Sequence, residues 1–266
     1  MAQWTKEEID SEAHALLDTL GPKRRPRPRL APPLMDSDLT ELETPAGPIA
    51  AWRLGQGRAL LLVHGWNDDN CLWAPLIEKA QAYGRAVVAL DLPGHGLSRA
   101  PSISVQLAAQ AVLAAGRALG PIDAVISHSF GCAASALALD MGLAARTAIQ
   151  IAGGLPQAAR HHIERLGERG VPAEIIESAI ELQAARALAE GRDISAFDLM
   201  PVLGRRAERA LIVHAFDDEQ CPVSDAQAIQ RGWPGAKIRL YDDLGHRGIA
   251  QDDQVLDDII DFIEGA

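Results

Sequence analysis

Ala124-Val125-Ile126-Ser127-His128-Ser129-Phe130-Gly131 runs from an apolar triplet through a small polar turn into an Ala-rich stretch that continues to Met141. The triplet reads as the end of a buried strand, and Phe130 to Met141 reads as the helix that follows it. A strand that turns sharply into a helix lifts the corner residue, here Ser129, above the end of a sheet. Helix and strand backbones approach closely at such a corner, so the positions two before and two after the serine must be small. Gly131 meets that need, and Ser127 stands where a glycine is more usual.

The pattern repeats on both sides of this corner. Ala59-Leu60-Leu61-Leu62-Val63, Ala86-Val87-Val88-Ala89-Leu90 and Ala148-Ile149-Gln150-Ile151-Ala152 are short, nearly unbroken apolar runs. Such runs mark strands buried on both faces of a parallel sheet. Ala210 to Val213 and Lys237 to Tyr241 supply later strands, and Leu39 to Thr44 with Ile49 to Leu54 read as a pair joined across Pro45-Ala46-Gly47-Pro48. Helical spacing appears between them at Trp73 to Tyr83, Val105 to Leu119, and Val255 to Ile263. Strands alternating with helices give an α/β fold, a mainly parallel sheet with helices on both faces.

Three further strand ends carry polar residues. His64-Gly65-Trp66 follows Val63, and this turn aims the Trp66 N–H at the serine. With the Phe130 N–H it would form a two-donor oxyanion hole. His214-Ala215-Phe216-Asp217-Asp218 follows Val213, and Leu244-Gly245-His246 lies between the last strand and the last helix. Ser129 as nucleophile, His246 as base and Asp218 orienting that base form a triad in the chain order Ser, Asp, His. Asp217 competes with Asp218 for the acidic role, since adjacent carboxylates are not separated by residue type.

On these residues, together with Asp91-Leu92-Pro93-Gly94-His95-Gly96-Leu97-Ser98, the chain resembles the α/β-hydrolase superfamily, in particular its serine esterase-like members. The resemblance covers about Leu39 to Ile263. It implies an eight-stranded sheet with one antiparallel strand, a substrate pocket between core and insertion, a mostly structural role for Asp91 to Ser98, and no cofactor. Serine at the corner separates the chain from the superfamily's haloalkane dehalogenases and epoxide hydrolases, which use aspartate there.

Three segments follow as domains. Residues 1–37 hold a helix that starts at a capping box, Thr5 with Glu8, and a Pro/Arg-rich linker from Pro22. Residues 38–154 and 208–266 form the core, and 155–207 carry helical patterns without a strand, as expected of a cap or lid. The 36 acidic residues outnumber the 25 basic ones for a net charge of −11, which argues against nucleic acid as a partner. No apolar run reaches the roughly 20 residues of a membrane span, so no membrane partner is expected either. The scattered Cys71, Cys132 and Cys221 form no disulfide framework or metal knuckle, and the N-terminus lacks a signal-peptide pattern. The expected setting is cytoplasmic, and no metal is expected. His161 and His162, adjacent on a helix, read as a solvated patch.

The expected function is hydrolysis of a carboxylic ester or thioester of a small molecule through an acyl-enzyme. Two alternatives stay open: cleavage of a C–C or amide bond or acyl transfer by the same triad, and a non-catalytic ligand-binding receptor on the same fold. The sequence sets neither the acyl chain, the leaving group nor the oligomeric state.

Overall fold

A computed structural model describes residues 4–20, 29–101, 104–155, 163, 166–189 and 199–265. The linker from Pro22 to Pro28 and the pair His161–His162 lie outside the described residues. The chain divides into two compact units, the larger spanning 23–155 and 199–266 and the smaller spanning 1–22 and 156–198.

The larger unit is built on eight strands: β1 (Leu39–Leu42), β2 (Ile49–Leu54), β3 (Ala59–Val63), β4 (Ala86–Leu90), β5 (Ile122–His128), β6 (Thr147–Ile151), β7 (Arg209–Ala215) and β8 (Lys237–Tyr241). They lie in the order β1-β2-β4-β3-β5-β6-β7-β8. The pairings β1–β2 and β2–β4 are antiparallel, so β2 runs against the rest. All pairings from β4 through β8 are parallel. The apolar runs that marked β3, β4 and β6 are buried at every position, as strands covered on both faces must be.

Helices α2 (Ala74–Ala82), α3 (Val105–Leu119) and α4 (Phe130–Asp140) carry the chain between parallel strands. Leu60 and Leu62 of β3, Val87 and Ala89 of β4 and Ile149 and Ile151 of β6 share one cluster with Leu76 and Ile77 of α2. The same cluster takes in Val255, Leu256, Ile259, Ile260 and Ile263 of the closing helix, Asp253–Glu264. Their alternate spacing in the strands puts these side chains on one face of the sheet. The Asp252 carboxylate caps the closing helix by accepting from Val255 N–H at 3.1 Å. Each fully buried Leu or Ile here contributes about 1.5–3 kcal/mol. Residues Leu199–Gly204, within the stretch expected as insertion, form a short helix with buried Leu199, Val202 and Leu203, and it packs against α4.

In the smaller unit, α1 (Lys6–Leu20) packs against α5 (Ala173–Ala189). Ala13 and Leu17 meet Ile175, Ile176 and Ala179. Ser178 Oγ donates to Asp10 at 2.9 Å, and Arg186 pairs with Asp18 at 3.1 Å. The capping box is formed: Thr5 N–H donates to Glu8 Oε2 at 2.8 Å, and Glu8 N–H donates to Thr5 Oγ1 at 3.3 Å. Among the described residues no helix is long and apolar enough to cross a membrane.

Candidate active site

Ser129 occupies the corner between β5 and α4 with φ 53° and ψ −122°, a conformation that L residues rarely adopt. Holding it costs about 1–3 kcal/mol, which the packing around it must supply. Close contact explains the small neighbours. A Cβ on Gly131 would lie 2.5 Å from the His64 carbonyl oxygen and 2.6 Å from that of Val63, so α4 sits directly on the end of β3. Ser127 fits where glycine is usual because its hydroxyl is spent internally, donating to the Ile149 carbonyl at 3.0 Å. The buried Cys132 thiol is likewise directed at main-chain oxygens, 3.4 Å from that of Ser127, and burial pushes it up to about 12.

His246 lies across from the serine. Its Nε2 is 2.9 Å from Ser129 Oγ and its Nδ1 is 2.7 Å from Asp218 Oδ2. A carboxylate oxygen only accepts, so Nδ1 carries the proton and Nε2 is left to accept from the serine hydroxyl. The other oxygen of Asp218 accepts from Gln220 N–H at 2.8 Å and Cys221 N–H at 2.9 Å. Burial alone would raise the Asp218 carboxyl. The bond and charge of His246 with these two N–H donors outweigh it and hold the group below the usual carboxylate range.

Asp217, the competing acid, does something different. Its Oδ1 accepts from Gly245 N–H at 3.0 Å and Leu244 N–H at 3.2 Å, clamping the main chain just before His246. On the far side of His246, Arg247 makes a two-pronged pair with Asp68, Nε and Nη2 each 3.0 Å from an oxygen. Asp68 follows the His64-Gly65-Trp66 turn, so this pair ties the histidine loop to that turn. Burial opposes ionisation of Asp68, but Arg247 prevails and its carboxyl also lies low. Neither contact was foreseen; an arginine beside the histidine and an acid beside the turn are a signal only once their loops are known to meet.

The expected oxyanion donors adjoin the serine. A Cβ on Gly65 would stand 2.9 Å from Ser129 Cβ, so the main chain leading into Trp66 runs against the serine. Phe130 opens α4, where helix N–H groups face outward. The Trp66 and Phe130 rings meet edge to face, centroids 5.3 Å apart.

Residues 91–98 serve as a brace. Asp91, fully buried, accepts from Asn70 N–H and Leu97 N–H, both at 2.7 Å. His64 Nε2 accepts from Leu92 N–H at 2.9 Å, and His95 Nε2 accepts from Asn67 N–H at 3.0 Å. Among the described residues no three His, Cys, Asp or Glu side chains gather as a metal site requires. A surface depression of about 190 Å³ lined by Arg58, Ile122 and Leu143 lies at the opposite end of β5 from Ser129.

Residues 60–259 match the profile described as the alpha/beta hydrolase family. The chain belongs to that family. Among solved structures it is similar to an esterase from Pyrococcus furiosus, with a TM-score of 0.71 at 15% identity over 92% of this chain and 98% of that one. An esterase from Exiguobacterium antarcticum gives a TM-score of 0.66 at 15% identity, over 85% and 99%. Among curated relatives it is similar to the pimeloyl-[acyl-carrier protein] methyl ester esterase of Xanthomonas oryzae pv. oryzae, 41% identical over 54 residues, 20% of this chain and 21% of that one. The corresponding esterase of Xanthomonas campestris pv. campestris is 36% identical over 78 residues, 29% of this chain and 30% of that one. The matches thus span between about a fifth and a third of these relatives' length.

Proposed function

We propose that this member of the family is a serine hydrolase that cleaves a carboxylic ester or thioester of a small molecule through an acyl-enzyme. The observation that carries the reading is the unbroken relay from Asp218 Oδ2 to His246 Nδ1 at 2.7 Å and from His246 Nε2 to Ser129 Oγ at 2.9 Å. Ser129 Oγ attacks the carbonyl carbon as its proton passes to His246 Nε2, and Asp218 stabilises the imidazolium. The oxyanion rests on the Trp66 and Phe130 N–H groups, each such donor being worth on the order of 10²–10³-fold in rate. The His246 proton then goes to the leaving alkoxide or thiolate. A water gives its proton to His246 Nε2 as it attacks the acyl carbon; the bond from that carbon to Ser129 Oγ then breaks, Oγ takes the proton back from His246, and the acid leaves.

The names of the aligned relatives favour an ester bond over a C–C or amide bond. Trp66 and Phe216, both exposed, are large apolar side chains placed next to the turn and the acid, which suits a substrate with an apolar portion. The test is hydrolysis of p-nitrophenyl esters of increasing acyl length by wild type and Ser129→Ala. Turnover by the wild type that vanishes in the variant supports the reading, and turnover that survives in the variant overturns it.

A further inference from the structure

Within the corner sequence, His128 points away from solvent and is used by no step of the mechanism above. It is the last residue of β5, and only 3% of it is exposed. Its Nε2 lies 2.8 Å from the main-chain carbonyl oxygen of His246. A carbonyl only accepts, so Nε2 carries the proton and donates it. The two imidazole rings lie 4.9 Å apart, tilted by 53°. On the opposite side, His128 Nδ1 is buried with no hydrogen-bond partner among the described residues. It faces the main chain of Gly65, where an added Cβ would come within 2.9 Å of it. The ring therefore fills the space between the Gly65 turn and the main chain of His246, and residue 128 directly precedes Ser129 in the chain.

We propose that His128 is a positioning residue, whose Nε2–H holds the carbonyl of His246 and thereby keeps the His246 ring registered on Ser129 Oγ. This rests on the triad reading above. The neighbours of the His246 main chain show why the contact matters. Asp217 holds the two N–H groups before the residue, and Arg247 ties the side chain after it to Asp68. The carbonyl of His246 itself is held by His128, which is carried on the same strand end as the nucleophile. A main-chain shift of residue 246 relative to the serine must therefore break this bond.

The ring also suits the place for an electrostatic reason. While His246 is an imidazolium, a second cation 4.9 Å away would oppose it. His128 stays neutral because an added proton on its buried Nδ1 would find no acceptor among the described residues. Burial, and next the charge of His246, bring its pKa down to about 4.

The experiment compares wild type with His128→Leu, His128→Gln and His128→Asn. Leucine fills similar space without a donor. Glutamine places an amide N–H near the Nε2 position, and asparagine places one near Nδ1, short of the carbonyl. Each protein is assayed for kcat and KM on p-nitrophenyl acetate and for the rate at which a fluorophosphonate labels Ser129, with circular dichroism to confirm folding. Misplacing a catalytic group by about 1 Å costs on the order of 10²-fold. His128→Leu is expected to lose about ten- to a hundredfold in kcat and in labelling rate with KM little changed, and glutamine to recover most of the loss. A folded His128→Leu with wild-type kcat and labelling overturns the proposal while leaving the triad standing. Should leucine prevent folding, the comparison of glutamine with asparagine serves: equal rates overturn the proposal, and a clear advantage for glutamine supports it. A wild type that neither turns over nor takes the label removes the triad reading and this proposal with it.

Discussion

Replacing Asp218 by asparagine changes one atom, and its surroundings dictate which way the new amide points. Oδ1 of Asp218 accepts from the N–H groups of Gln220 and Cys221 at 2.8 and 2.9 Å. An amide NH₂ facing two donors would leave both without an acceptor, so the amide oxygen must occupy that side. The NH₂ then faces His246 Nδ1, now 2.7 Å from Oδ2, and donates to it. His246 is forced into the tautomer with its proton on Nε2, which cannot accept from Ser129 Oγ. The expected loss in kcat is on the order of 10⁴-fold, or about 5.5 kcal/mol at 1.36 kcal/mol per decade. Asp217→Asn keeps an oxygen acceptor for Gly245 and Leu244 N–H and gives up the charge at an exposed position. It should cost about 1 kcal/mol, less than tenfold. The assay is kcat/KM on p-nitrophenyl acetate near neutral pH, with melting curves to show that both variants fold. If Asp217→Asn is the more damaging, or if Asp218→Asn keeps a tenth of wild-type activity, the assignment of the acid and the tautomer argument both fall.

Arg247→Met strands the buried Asp68 carboxylate and should lower stability by about 1–3 kcal/mol. Denaturant unfolding measures it, and Asp68→Asn added to Arg247→Met should recover part of the loss. Gly131→Ala pushes a methyl against the carbonyls of His64 and Val63, so α4 must retreat from β3. A drop in melting temperature with loss of serine labelling is expected, and a wild-type value for both would refute the close-packing account. Stability should also fall as pH drops from about 6.5 to about 4. His95 and His128 are lowered to about 4 from an ordinary 6.5, by burial first and then by the neighbouring His64 and His246 respectively. The unfolded chain therefore binds more protons than the fold across that window, and stability is lost as pH decreases. Asp91, raised by burial to about 6, acts in the opposite sense below pH 6 and offsets one of the two histidines. Urea unfolding at several pH values checks the net loss, on the order of a few kcal/mol, and a flat profile would refute it.

The strands of the parallel sheet were legible because burial on both faces leaves no polar residue to break the run, as in Leu60-Leu61-Leu62-Val63. The first strand is shorter than the expected Leu39 to Thr44. β1 stops at Leu42, and Thr44 turns the chain instead, its Oγ1 donating to the Gly47 carbonyl at 2.7 Å and accepting from Ala46 N–H at 3.2 Å. The strand end and the loops that carry Ser129, Asp218 and His246, whose side chains meet at 2.9 and 2.7 Å, were legible because each follows a recognisable strand. What joins their loops was not, because Asp68 and Arg247 are 179 residues apart and nothing local marks them as partners. The apolar stripe of α1 showed that one face must be buried, but periodicity names no partner, and the match to α5 is visible only in three dimensions.

The histidines around the serine show how one side chain is set to different tasks by what its two nitrogens meet. His64 and His95 each accept a main-chain N–H on Nε2, from Leu92 and Asn67, and place Nδ1 within 2.9 Å of a main-chain carbonyl. Both nitrogens are thereby committed to backbone and the ring is locked neutral, fit to brace a turn and unable to move a proton. His128 donates to a carbonyl, and its other nitrogen is buried with no partner among the described residues. His246 differs in meeting a carboxylate oxygen on one side and a hydroxyl on the other, at 2.7 and 2.9 Å. A proton gained on Nε2 there has an anion to balance it across the ring. That pairing is also why exchanging the surroundings should exchange the roles. In Asp218→Asn, His246 would become another neutral ring with both nitrogens committed, and the loss of turnover expected for that variant follows from the same hydrogen-bond logic that keeps His64 and His95 idle.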